Sequence, residues 1–208
     1  MTPTTITALL AIALGAAAAL SAPQVLEEKF VVNAQFRGGI NKSFKDVGRG
    51  SVLYKKLDAG GFALSIQGSL KNPDNGELLK MRSTGEFKLD RLSIAKVSQK
   101  LEMNEPARRY ESLLKENLPF VYLARFQTMP VGKEAEDVTY RYEGRDYRMR
   151  YVPLDDSIEA TLYQGDLQIG KFFLTGKMGQ APTGLAKARM IGPNHLVFSL
   201  VIDTRPSE

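Results

Sequence analysis

The 208-residue chain contains no cysteine, no tryptophan and a single histidine. Without cysteine there is no disulfide framework, no thiol catalysis, no thiolate metal site and no lipidated N-terminal cysteine. One histidine cannot build a multi-histidine metal centre. No apolar run reaches the ~20 residues of a membrane-spanning helix. A Gly-x-Ser-x-Gly nucleophile motif is missing, and the Gly-Gly pairs at 38–39 and 60–61 lack the Lys-Ser/Thr and helix of a phosphate loop. A large excess of one charge is missing too: 28 Lys+Arg stand against 23 Asp+Glu, a net +5. That modest basicity suits contact with anionic envelope polymers or lipids. No aromatic ribonucleoprotein motif accompanies it, so nucleic acid is not an expected partner.

What is present is enough to fold. The apolar fraction is 43%, with mixed charges, and the length matches one domain. Residues 1–26 carry no charged side chain, and residues 6–20 form an apolar run rich in Ala and Leu. Small residues follow at Ser21 and Ala22. This is the pattern of a secretory signal, cleaved after one of those two, with Pro23 disfavouring the second. The first five residues lack the usual Lys or Arg, which leaves an uncleaved N-terminal membrane anchor as the alternative. The expected organisation is a signal over 1–22 and one β-rich domain over 23–208, delivered to the periplasm or outside the cell.

Period-two alternation dominates the mature part. Phe30, Val32, Ala34 and Phe36 mark one strand. Residues 51–57 mark a second. Phe62, Leu64, Ile66, Gly68 and Leu70 mark a third. After the dense turn signal Asn72-Pro73-Asp74-Asn75-Gly76 comes a strand of about fourteen residues, on the order of 45 Å if unbroken, with Gly85 as its bend. That turn is too short, and too poor in acids, for an EF-hand loop. Residues 91–103 continue as a strand. Asn104 is placed to cap a helix with Pro106 in its first turn. The helix has a stripe of Ala107, Tyr110, Leu113, Leu114 and Leu118, and Pro119 predicts its end near Asn117. Residues 120–126 then read as strand. Three hairpins close the chain, around Gly144-Arg145, Gly165-Asp166 and Gly192-Pro193-Asn194. The total is an antiparallel meander of about ten or eleven strands with one mid-chain helix, curled into a barrel or half-open barrel. A β-sandwich is the alternative.

The hairpin at 138–151 is the most informative element. With Gly144-Arg145 as the turn, Tyr142 faces Tyr147, Tyr140 faces Met149 and Val138 faces Tyr151, all on one side of the sheet. With Tyr110 and Leu114 of the helix, Tyr140, Tyr142, Tyr147, Met149 and Tyr151 are candidates for an apolar cavity wall, or simply for core. Arg141, Arg148 and Arg150 fall on the other face, with Arg141 opposite Arg148. Like charges so placed need compensation, from Glu159 on the next strand, from solvent, or from an anionic partner. The register of the third and fourth strands follows from pairing Leu70 with Glu77, which puts the Phe62 ring beside Gly85. His195, after a turn, reads as a turn histidine. Asp155-Asp156, Glu134/Glu136/Asp137 and Glu102/Glu105 are the acids a carboxylate hydrolase would draw on.

The layout of an export signal, antiparallel strands and one helix resembles periplasmic half-open β-barrel carriers of lipids and lipoproteins; the resemblance is one of layout, with no motif behind it. It implies a non-catalytic binding protein for a lipid-like or other hydrophobic molecule, with no cofactor and no metal. The alternatives are an envelope structural or assembly factor that holds a protein or anionic polymer, with peripheral membrane contact, and a carboxylate-based hydrolase. A cavity of ~300 Å³ or more, lined by apolar side chains, would separate the first from the second.

Overall fold

A computed structural model describes residues 25–36, 42–57, 60–73, 75–126, 134–192 and 196–203. The expected signal over 1–22 and the reading of His195 lie outside these residues. Eleven strands are described: β1 (Val25–Phe36), β2 (Lys42–Lys56), β3 (Gly61–Lys71), β4 (Leu78–Asp90), β5 (Ser93–Met103), β6 (Glu136–Tyr142), β7 (Arg145–Pro153), β8 (Ser157–Gln164), β9 (Leu167–Thr175), β10 (Gly184–Ile191) and β11 (Leu196–Asp203). They close into a barrel in the order β1-β11-β10-β9-β8-β7-β6-β5-β4-β3-β2. The barrel, and not the sandwich, is therefore the fold.

One joint breaks the antiparallel rule. β5 and β6 are parallel and share two residue pairs, Ser93↔Arg141 and Ile94↔Tyr142. The cause is the segment between them. A 3₁₀ turn, Glu105–Tyr110, leads into helix α1, Glu111–Phe126, which carries the chain back so that β6 runs the same way as β5. The two strands meet only where β5 starts and β6 ends. The Arg141 amide donates to the Leu92 carbonyl at 2.9 Å, and Lys96 pairs with Glu143 at 2.8 Å.

The helix departs from the sequence expectation. It does not stop near Asn117, and residues 120–126 are helix rather than strand. Pro119 sits inside it, with Leu118, Phe120, Val121, Leu123 and Ala124 also buried. A helix apolar on all sides belongs inside a core, and that burial outweighs a proline penalty of about 3 kcal/mol. Pro119 has no N–H for the Lys115 carbonyl, and the Gln99 side chain donates to that oxygen instead, at 3.5 Å. Asn104 does not cap with its side chain. Its amide bonds the backbone of β4 instead, accepting from Lys80 N at 2.9 Å and donating to Leu78 O at 2.7 Å.

Two registers also differ from the expectation, each by two residues, so every side chain keeps its face. Leu70 pairs with Leu79 and Phe62 with Phe87. The turn is centred one residue later than assumed, with Asn72 N donating to Glu77 O at 2.7 Å. The ring over Gly85 belongs to Phe87, whose carbons would lie 2.6 Å from a Cβ added there. In the second hairpin Tyr140 pairs with Tyr147, Tyr142 with Arg145 and Arg141 with Asp146. The turn is Glu143-Gly144, with φ of 51° and 74°. Two left-handed residues in succession fit the twist of a type I′ hairpin, and glycine takes the second position without strain. Arg141 is therefore not opposite Arg148.

Candidate functional site

The lumen is occupied by α1. The Phe120 ring lies 4.9 Å from that of Tyr147 and 6.2 Å from those of Tyr140 and Tyr142. Tyr122 stacks on Phe62 at 4.0 Å with 8° between the planes. Met149 and Tyr151 are buried beside them. The tyrosine face thus packs on the helix. Burial raises the phenol pKa values of Tyr140 and Tyr151. That of Tyr142 is pushed up to about 12 by burial first and then by the Glu143 charge. Beside the start of the helix an apolar cavity of about 50 Å³ remains, lined by Tyr110, Leu113 and Leu114 and by wall residues that include Phe30, Ile66 and Phe198. This is far below the volume a drug-sized hydrophobic ligand needs.

One luminal feature was not singled out from the sequence. Glu28 of β1, 6% exposed, accepts from Arg125 Nε at 2.9 Å. Arg125 Nη1 also donates to the Pro182 carbonyl at 3.0 Å. Among the described residues, Glu28 Oε2 and the Tyr54 hydroxyl, which lie close enough to interact electrostatically, make no hydrogen bond of good geometry. Burial first, and then the Glu28 charge, hold the Tyr54 phenol well above its usual pKa. The signal was legible: Glu28 is in phase with Phe30, Val32 and Ala34, so alternation aims it inward.

The arginine face of the second hairpin is largely satisfied from within. Arg148 pairs with Asp137 at 3.0 Å and lies over the Tyr163 ring at 4.4 Å. Arg141 lies 3.6 Å from Asp146. Glu159, expected as their counter-ion, binds Lys171 at 2.5 Å. Arg150 is exposed. Among the catalytic candidates, Glu102 pairs with Lys100, Glu105 with Arg108 and Asp137 with Arg148. Asp155 and Asp156 are exposed.

No family model matches the chain, and no curated protein matches it. Among solved structures, the β-barrel-like protein of the domain of unknown function DUF1849 from Brucella abortus aligns over 86% of this chain and 96% of its own, with 8% identity and a TM-score of 0.39.

A wide, shallow concavity of about 900 Å³ lies on the outside of the wall formed by β1 to β5. Gly50 of β2 pairs with Gly68 of β3, and both sit at inward-facing positions. Their missing side chains leave luminal space that the Phe30 ring fills. A Cβ on Gly50 would come 2.2 Å from the Gln67 carbonyl and 2.4 Å from Phe30 Cζ. The rows of the outer groove follow from strand register. Lys29 neighbours Ser51, Ser51 neighbours Gln67 and Gln67 neighbours Arg82. A second row runs Arg49, Ser69, Lys80. Long cationic arms therefore flank a floor of glycine and small polar residues. Sequence reasoning missed this site because its residues come from five strands, and register alone brings them together.

Proposed function

We propose that the protein is an exported, non-catalytic envelope binding factor that holds its partner on the outer surface of the barrel. The observation that carries this reading is the filled lumen: α1 occupies it, and only about 50 Å³ remains beside the start of the helix. A barrel filled by its own helix suits a scaffold better than a carrier. Of the acids a hydrolase would draw on, Glu102, Glu105 and Asp137 are held in ion pairs, which supports this reading. The carrier reading keeps one supporting feature, the apolar cavity beside Tyr110 and Leu114, and it requires α1 to move.

Native mass spectrometry of the protein purified from its host distinguishes the two. The outer-surface reading expects a bare mature chain, with no co-purifying lipid after gentle ionisation. A stoichiometric hydrophobic molecule, retained until the protein unfolds, would overturn it in favour of the carrier.

A further inference from the structure

We infer that the outer groove across β1 to β5, beside the Gly50–Gly68 pair, is a binding site for a linear phosphate-bearing polyanion, an inference that rests on the outer-surface reading and names its ligand class. Four cations flank the groove: Lys29, Arg49, Lys80 and Arg82. None of the four is held in an ion pair among the described residues. Acids are close by as well: Glu27 and Glu102 border the groove, Arg82 lies opposite Glu102 across β4 and β5, and Lys29 lies opposite Asp203 across β1 and β11. Glu102 is also engaged by Lys100 at 2.5 Å. Cations still outnumber acids there, so this face of the wall is net positive.

The spacing favours a chain over a single ion. Lys29 and Arg82 lie three strand steps apart, about 14 Å, and Arg49 and Lys80 two steps apart, about 10 Å. A lone phosphate cannot satisfy all four, whereas a polymer crossing the strands meets them in turn. Guanidinium groups at Arg49 and Arg82 suit two-point contact with phosphate oxygens. The floor offers further polar contacts, since Ser51 accepts from Gln67 Nε2 at 3.3 Å and its hydroxyl proton is free to donate outward.

The test compares two double variants of the full mature chain, each losing two positive charges. Lys29→Gln/Arg82→Gln alters the groove, and Arg141→Gln/Arg150→Gln alters the hairpin. Binding of inorganic polyphosphate is measured at low and at moderate salt, with orthophosphate and phosphatidylglycerol vesicles as separate arms. Circular dichroism confirms that both variants fold. The groove variant is expected to bind polyphosphate about tenfold more weakly or worse, from two lost charge-assisted contacts, and its salt dependence should flatten. The hairpin variant should stay within about twofold of wild type. Equal losses in the two variants would reduce the binding to general basicity and overturn the proposal. So would groove-dependent binding to vesicles but not to polyphosphate, or orthophosphate competing at equal phosphate concentration. None of these results bears on whether the lumen holds a hydrophobic ligand, so the outer-surface reading would survive them.

Discussion

Arg125, in the last turn of α1, donates to Glu28 of β1 at 2.9 Å. This bond fastens the end of the luminal helix to the first strand, with side-chain exposures of 12% and 7%. Replacing Arg125 with Met should cost about 3 kcal/mol, because the Glu28 carboxylate is left buried without its partner. The double variant Glu28→Gln/Arg125→Met should cost less than the sum of the single changes. Urea unfolding of the four proteins measures both. Additive losses would mean that the two groups do not act as a pair.

The close packing at Gly50 carries its own prediction. Gly50→Ala places a methyl group 2.2 Å from a backbone carbonyl. It should destabilise by about 2 kcal/mol through overpacking. Trimming the Phe30 ring should recover only part of the loss, because the carbonyl belongs to the main chain. An unchanged urea midpoint for Gly50→Ala would mean that the strands and the ring make room there without cost.

Pro119→Ala should stabilise the protein by about 1 kcal/mol, as the restored N–H offsets more than the small void it leaves. Gln99→Ala should matter less in that background, since the Lys115 carbonyl regains a helical donor. Thermal melts of the single and double variants decide it. A lower melting temperature for Pro119→Ala would show that the ring's packing dominates.

Much of the fold was legible because alternation survives register errors. Tyr140, Tyr142, Tyr147, Met149 and Tyr151 fall on one buried face whether the turn is Gly144-Arg145 or Glu143-Gly144, since moving the turn by one residue moves the pairing by two. The helix was half legible. Its first apolar stripe marks one buried side, but residues 117–126 are buried on all sides and carry no amphipathic period. Pro119 then reads as a stop, because local rules cannot see the surrounding barrel. The groove was not legible, since nothing in the local sequence brings Lys29, Arg49, Lys80 and Arg82 to one place.

Alkaline stability follows from the buried phenols. Tyr142 is raised to about 12, and Tyr54, Tyr140, Tyr147 and Tyr151 are raised as well. A raised folded-state value means that the native state keeps protons which the unfolded chain, near pH 10, gives up. The stabilisation is therefore complete below about pH 10 and declines as pH rises through about 12. With no tryptophan in the chain, tyrosinate absorbance near 295 nm reads the titration cleanly. Most of the phenols should ionise only together with loss of near-ultraviolet dichroism. Full ionisation at pH 10 with the fold intact would show that they are solvated.

In the proposed function a filled barrel works from its outer wall. Hydrogen–deuterium exchange, with and without polyphosphate, checks this. The expected footprint is added protection around residues 49–51, 67–69 and 80–82, with exchange in α1 unchanged. Faster exchange in α1, with those three segments unaffected, would mean that the ligand displaces the helix and enters the lumen, and would contradict the account.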